Sequence, residues 1–327
     1  MSGMVTIFGG SGFVGRYIAR RMAHEGWRVR VATRRPNESL FVKPYGVVGQ
    51  VEPVLCNIRD DRSVAATLKG ADAVVNCVGV LNELGANSFD AVHVEGAGRV
   101  ARLASENGVK QMVHVSALGA DADSDCDYAR TKAMGESAVL EHMPDAVILR
   151  PSVIFGTEDQ FFNRFASMTR WGPVLPLAGA NTQFQPVYVD DVAKAAVAGV
   201  LGTAAPGVYE LGGPETANLR GLIGKMLDEI HRKRVVVNLP NFVARIMAFS
   251  LDMGQKMSLG LVSNGILTRD QLRNLALDNV VSADARGFGD LGIVPVPMEA
   301  VLPDYLWRFR PSGQFDEITQ SASNLRP

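Results

Sequence analysis

Only three cysteines occur, Cys56, Cys77 and Cys126, and none forms a CxxC pair. A disulfide framework is thereby excluded, and the thiols read as reduced side chains of a cytosolic-type compartment. The histidines, His24, His93, His114, His142 and His231, show no metal-ligand spacing with cysteine or carboxylate, so no metal site is expected. No apolar run reaches about 18 residues, which excludes a helix that crosses a bilayer. Surplus charge is missing too. The 33 Lys+Arg stand against 34 Asp+Glu, a formal net charge of −1. That balance offers no basic excess to neutralise phosphates, so nucleic acid is not an expected partner. Repeats and low-complexity tracts are absent as well. Val5-Thr6-Ile7-Phe8 begins almost directly after Met1, which leaves no room for a signal or transit peptide. A bacterial cytoplasmic product, or a mature form without its presequence, is the expectation.

What is present is material for a core. Hydrophobic residues make up 47% and charged residues 20% of 327 positions, enough for one large α/β domain or a main domain with a smaller appendage. Short apolar runs at Val5–Phe8, Arg28–Thr33, Ala71–Cys77, Gln111–Val115 and Ala146–Leu149 read as strands. Helical periodicity fills the intervals, at Phe13–Ala23, Ala91–Asn107 and Tyr128–Glu141. Strands alternating with helices predict a doubly wound, Rossmann-type parallel sheet in an α/β fold. The expected organisation is a dinucleotide-binding domain over residues 1–155, to which a segment of about 183–205 returns. Residues 156–327 form a smaller, interleaved C-terminal domain above the cofactor cleft. Within the returning segment, Gln185–Ala198 reads as a strand entering a helix, with Asp190 or Asp191 as its N-cap rather than as an acid/base pair.

The glycine motif carries the first chemistry. Gly9, Gly12 and Gly15 follow the first strand and open the first helix. Their tasks are a tight turn, room for a pyrophosphate beside the backbone, and close packing of helix on strand. Ser11, Phe13 and Val14 complete this phosphate loop, whose N–H groups and helix dipole favour an anion. The second strand then ends at Thr33-Arg34-Arg35. A site for NAD(H) usually places an acid there for the ribose hydroxyls. Two guanidiniums suit a 2′-phosphate instead, which favours NADP(H), although a solvated basic turn would look the same. Asn57 and Ile58 close the third strand where adenine is expected. Cys77, Val78, Gly79 and Val80 end the fourth, where small residues let the backbone approach the cofactor. No activating base can be assigned to Cys77, so it is not read as a reactive thiol.

A second constellation follows the fifth strand. Ser116 ends it, and Tyr128 and Lys132 stand four apart on a helix, on one face. An ammonium beside a phenol favours the phenolate, and such a pair can relay a proton while Ser116 holds a substrate oxygen. The same pair can equally hold the ribose of a permanently bound cofactor. Catalytic and structural roles both stay open on the spacing alone.

The glycine loop, Ser116, Tyr128, Lys132 and the run Leu149-Arg150-Pro151-Ser152-Val153-Ile154-Phe155-Gly156 together resemble an extended or atypical short-chain dehydrogenase/reductase over at least residues 4–212. That resemblance implies that Lys132 also binds the nicotinamide ribose and that the segment from Pro151 to Ile154 lies against the nicotinamide. Asn57 departs from the pattern, since many members carry an Asp there. A narrower resemblance rests on Arg150–Gly156, Glu158–Phe165, Phe184–Val192, Leu267–Leu272 and Asp278–Ser282. It is to the nucleotide-binding accessory subunits of respiratory complex I and their bacterial relatives. This implies tightly held NADPH, no established turnover, and contact with other complex I subunits of the peripheral arm near the quinone-binding region. It also implies a peripheral position on the cytoplasmic side of the bacterial inner membrane, or on the matrix side in a mitochondrion. The competing readings are a free-standing NADP(H)-dependent oxidoreductase or epimerase/dehydratase that uses Ser116, Tyr128 and Lys132, and a sensor of the NADPH/NADP ratio. Phe242–Leu251 reads as a helix with a broad apolar face, either core-facing or turned to a partner or bilayer surface with Met247, Met253 and Met257. The basic cluster from His231 to Arg234 is either a solvated face or a contact for acidic headgroups.

Overall fold

Short β-branched runs form the strands of the computed structural model, and the amphipathic stretches between them form the helices. It describes residues 3–83, 85–240 and 269–316, with Phe242, Val243, Ile246, Ser250 and Ser321 besides. The first part of the chain runs β1 (Met4–Phe8), α1 (Phe13–His24), β2 (Arg28–Thr33), β3 (Val51–Leu55), α2 (Asp61–Leu68), β4 (Ala73–Asn76), α3 (Glu95–Glu106), β5 (Gln111–Val115), α4 (Asp127–His142) and β6 (Val147–Pro151). It continues through β7 (Ile154–Phe155), α5 (Phe162–Met168), β8 (Val174–Leu177), β9 (Gln183–Phe184), β10 (Val187–Tyr188), α6 (Val189–Val200), β11 (Gly207–Leu211), β12 (Ala217–Asn218), α7 (Leu219–Glu229) and β13 (Val235–Asn238). Two short helices follow, α8 (Arg269–Asn274) and α9 (Leu302–Leu306).

The main sheet has seven strands in the order β11-β6-β5-β4-β1-β2-β3, with every neighbouring pair parallel. This is the doubly wound Rossmann arrangement, and its strand order reverses between β1 and β4. Alternate residues feed opposite faces. Val5, Ile7, Val75, Val113 and Leu149 enter the core under α1 and α6, while Phe8, Val74, Met112 and Ile148 enter the one under α2, α3 and α4. Burial on both faces is why these strands read as near-continuous apolar runs. The third core belongs to the C-terminal part, where Phe155, Phe162, Leu222, Ile223, Met226 and Leu306 meet.

Three local readings differ from the sequence-based expectation. The return to the main sheet runs beyond residue 205, because its edge strand is β11, ending at Leu211. The short β10 pairs with β7 in a separate ribbon. Neither Asp190 nor Asp191 caps α6: the N-cap is Tyr188, without a side-chain cap bond. Cations claim both carboxylates instead. Asp190 forms a two-pronged pair with Arg21 and lies 3.6 Å from Arg20. Asp191, fully buried, pairs with Lys194 at 2.6 Å and accepts from the Val296 N–H at 2.7 Å. The reading as packing residues stands on that geometry. The Phe242–Leu251 helix, with Met247, Met253 and Met257, lies largely outside the described residues.

Helix α4 presses at Gly135 against the turn that leads into α3, where a Cβ would stand 2.1 Å from the His93 carbonyl oxygen. Gly135→Ala must therefore push α4 away from that turn or distort one of them. A loss on the order of 1–3 kcal/mol is expected, read as a lowered midpoint in urea with an unchanged slope. An unchanged midpoint would refute that contact.

Candidate functional site

The carboxyl ends of β1 and β4 meet at the switch point, and the turn there is built from glycine. Gly9 has φ +74°, a backbone conformation that L side chains rarely adopt, and its Cβ would stand 3.2 Å from the Cys77 backbone. A Cβ on Gly15 would lie 2.3 Å from the Gly9 carbonyl oxygen, and one on Gly12 would lie 3.1 Å from it. Helix α1 can approach the turn this closely only because those positions lack side chains. Its N-cap, Gly12, provides no side-chain cap, and no acid stands in the first turn. Its leading N–H groups and the positive end of its dipole are thus left for an anion. These residues fit a dinucleotide pyrophosphate.

Around this turn the other expected cofactor contacts fall into two groups. Ser11 Oγ donates to Thr33 Oγ1 at 3.1 Å, which ties the glycine turn to the end of β2. Arg34 and Arg35 are exposed beyond it, and Arg35 pairs with Glu38 at 3.3 Å. Asn57 is exposed but turns its Oδ1 back to accept from the Arg59 N–H, while the Ile58 side chain sits in the core beneath α2 and α3. On the β4 side, Asn76 Oδ1 accepts from the Val78 N–H at 3.1 Å, and His93 Nε2 accepts from the Val80 N–H at 3.0 Å. Gly79 is open above Lys132, whose Nζ would lie 3.3 Å from a Cβ there. Pro151 is buried and its carbonyl accepts from the Leu118 N–H, and Ile154 is half-buried against the first core.

Tyr128 and Lys132 do share one face of α4, but burial governs their chemistry. Lys132 Nζ stands 6.0 Å from the Tyr128 ring centroid and donates to the Val115 carbonyl at 3.3 Å. Desolvation pushes the Tyr128 phenol up to about 12, with the Cys126 sulfur adding to the rise. It pulls the Lys132 ammonium down to about 8, against the opposing pull of Glu136 and Cys77. The expected promotion of a phenolate is thus corrected: removal from water outweighs the neighbouring cation. Cys77 is half-buried, and desolvation pushes its thiol up to about 12, which disfavours a reactive thiolate.

Ser116 goes elsewhere. It is buried, and its Oγ donates to Glu136. Glu136 in turn receives Arg150 through bonds of 2.9 and 2.6 Å. The hydroxyl donates into the Glu136–Arg150 ion pair, one turn beyond Lys132 on the same side of α4; Lys132 reaches the adjoining Val115 carbonyl, and Tyr128 meets His93.

Two residues of the site carry no motif. His93 lies on a single π-helical turn, Asp90–Val94, which interrupts the expected helix from Ala91 to Asn107. Its ring stacks on Phe89 at 5.3 Å and meets Tyr128 edge-on at 5.5 Å. Nε2 accepts from Val80 and Nδ1 lies 3.1 Å from Thr131 Oγ1, which itself donates to the Asp127 carbonyl, so Nδ1 carries the proton. His114 is buried beside Asn76, its Nδ1 3.2 Å from the amide nitrogen, and its Nε2 has no partner. Burial and then the Lys132 charge pull both rings down to about 3. Asp270, from α8, caps α4 from a distance: its carboxylate accepts from the Asp127 N–H at 2.7 Å and the Tyr128 N–H at 3.1 Å. Arg273 reaches the Asp125 carbonyl and Gln271 the Asn82 side chain, so α8 straps the start of α4 to the loop after β4.

Residues 5–212 match the model of the NAD dependent epimerase/dehydratase family. The chain is 37% identical over 320 residues to the mitochondrial NADH dehydrogenase [ubiquinone] 1 alpha subcomplex subunit 9 of Arabidopsis thaliana, covering 96% of this chain and 80% of that protein. It is 31% identical over 313 residues to the mitochondrial NADH-ubiquinone oxidoreductase 40 kDa subunit of Neurospora crassa, covering 95% and 80%. In fold it is similar to dTDP-glucose 4,6-dehydratase DesIV of Streptomyces venezuelae, solved with NAD bound, at a TM-score of 0.69 and 20% identity over 99% of this chain and 100% of that one.

Two measurements test the site's supports. Asp270→Ala should cost about 0.5–2 kcal/mol as a lost helix cap, with Asp270→Asn milder; equal melting of all three proteins would dismiss the cap. For the histidines the sign is set by folded values below the free value near 6.5. Their contribution is complete above that pH and is lost as pH falls toward about 3, because the unfolded chain takes up the protons first. His114→Gln should flatten the fall in urea midpoint between about pH 7 and pH 5. A slope identical to that of the parent protein would contradict this.

Proposed function

The chain belongs to the NAD dependent epimerase/dehydratase family, and from that premise we propose that it is an accessory subunit of respiratory complex I holding NADP(H) as a structural cofactor. The observation that carries the reading is the donation of the Ser116 O–H into the Glu136–Arg150 pair, which commits that donor away from a substrate oxygen. Tyr128 itself is a neutral phenol at physiological pH. When bound, the dinucleotide brings hydride-transfer chemistry; the residues around it are arranged to hold it. Gly9, Gly12 and Gly15 seat the pyrophosphate, Thr33 and Arg34 face the adenosine ribose, and Lys132 with Tyr128 takes the nicotinamide ribose, beside Pro151 and Ile154.

NADP(H) over NAD(H) is supported by Thr33-Arg34-Arg35, where an acid would otherwise meet the ribose. The complex I assignment is supported by relatives of that name aligned over nearly the whole chain. Partners are then the neighbouring complex I subunits of the peripheral arm near the quinone-binding region. The corresponding location is peripheral, on the cytoplasmic side of a bacterial inner membrane. Among the described residues no helix is long and apolar enough to cross a membrane. A surface for a partner or for lipid headgroups exists on the β8–β13 ribbon. Trp171, just before β8, is 90% exposed, Val174, Val235 and Val237 are exposed on the ribbon, and Arg170, Arg232 and Arg234 lie near one another at its start.

A structural cofactor stabilises the state that binds it. With ligand at about a thousand times its Kd, the expected gain is roughly 4 kcal/mol. A denatured extract of the purified protein should release NADPH near one per chain, and Tyr128→Phe should keep that stoichiometry. Washed membranes should retain the protein with complex I. Recovery as a free protein that oxidises NADPH with a carbonyl substrate, and loses that activity in Tyr128→Phe, would establish the catalytic alternative instead.

A further inference from the structure

We propose that Arg16, rather than Arg35, is the second guanidinium of the adenosine 2′-phosphate site and acts with Arg34 to select NADP(H); the inference rests on the NADP(H) reading above. Arg16 lies in α1, one residue past the last glycine of the turn. Its Nε and Nη2 donate to the Gly12 and Ser11 carbonyls, each at 3.2 Å. The guanidinium stacks 4.7 Å from the centroid of Phe41, which belongs to the 3-10 segment Pro36–Tyr45 that follows β2. Ser11, whose carbonyl anchors it, is tied through its hydroxyl to Thr33 at the end of β2, and Ser39 Oγ lies 3.4 Å from the same Thr33 oxygen. The charge is thus fixed at the corner between the phosphate turn and the end of β2. In a doubly wound dinucleotide fold that corner receives the adenosine ribose.

Arg35 offers less. Its side chain is 76% exposed and is drawn to Glu38, three residues on in the same turn. An exposed side chain must be ordered before it can recognise anything, and that ordering opposes binding. Arg16 is already ordered. Its contacts with Gly12, Ser11 and Glu158 engage three of the five N–H groups of the fork and leave the others for a phosphate.

Glu158 supplies the opposing charge. Its Oε1 lies 3.2 Å from Arg16 Nη1, and its Oε2 accepts from the Tyr17 hydroxyl at 3.1 Å. A carboxylate on the guanidinium that must meet a phosphate competes for its donors and repels the ligand. Arg16 and Glu158 therefore have opposite signs toward a 2′-phosphate, which a merely structural ion pair would not.

The test uses the full chain freed of dinucleotide and titrated calorimetrically with 2′,5′-ADP and 5′-ADP. Arg16→Met should weaken 2′,5′-ADP about tenfold or more and leave 5′-ADP within about twofold, the size of one lost charge-assisted contact. Glu158→Gln should tighten 2′,5′-ADP severalfold, and Arg35→Met should change either ligand by no more than about twofold. Equal weakening of both ligands by Arg16→Met would overturn the proposal in favour of pyrophosphate contact or misfolding. An unchanged 2′,5′-ADP affinity in both Arg16→Met and Glu158→Gln would also overturn it, while a parent protein that still prefers 2′,5′-ADP keeps the NADP(H) reading. A parent that binds both probes alike removes that reading and this inference with it.

Discussion

Helix α1 sits hard against the Gly9 carbonyl, closer than any residue but glycine at position 15 permits. That single close approach sets much of the rest. It brings the helix start to the point where the strand order reverses, and it aligns Tyr17, Ile18 and Met22 with the core shared by α6. No side chain caps the helix start. In most helices a Ser, Thr, Asp or Asn would satisfy those donors. Here the fold leaves an electrostatic demand unanswered by the protein itself, at the place where its family binds a dinucleotide.

Around α4 the dominant force is removal from water. Lys132, His93, His114, Cys77 and Tyr128 all move in the direction that disfavours their charged forms. The lysine nonetheless remains mostly protonated at neutral pH, so the pocket contains one cation among neutral groups. A proton relay works best when donor and acceptor lie near the working pH. Tyr128 lies well above it. The same environment suits a group that must hold a neutral sugar and not exchange protons with it, which is why the residues of a reaction centre can support a purely binding role.

Fold class was legible because strands buried on both faces leave uninterrupted apolar runs, and glycines at Gly9, Gly12 and Gly15 mark a turn with few alternatives. The pairing of Tyr128 with Lys132 was legible for the same reason, since helical spacing is local. Ser116 was not: only the fold reveals that Glu136, on the helix packed behind it, accepts its hydrogen bond. The π turn at His93 was equally hidden, because it is imposed by partners at Val80 and Thr131 rather than by its own sequence. Asp190 and Asp191 misled for a related reason. Their position beside a helix start resembles a cap, but Asp190 turns to Arg21, and Asp191 to Lys194 and the Val296 N–H. Local rules failed mainly where a partner arrived from elsewhere in the chain.

The cap that Asp270 places on α4 joins residues 142 and 143 positions apart. A piece of the chain ending at Leu211 would contain every strand of the main sheet, yet it would leave the Tyr128 helix to fray at its first turn. Integrity of the start of α4 is thus delegated to a stretch that contributes no strand to that sheet. Whatever tugs on α8 from outside, such as a neighbouring protein, is felt at Asp127 and Tyr128 through two backbone amides.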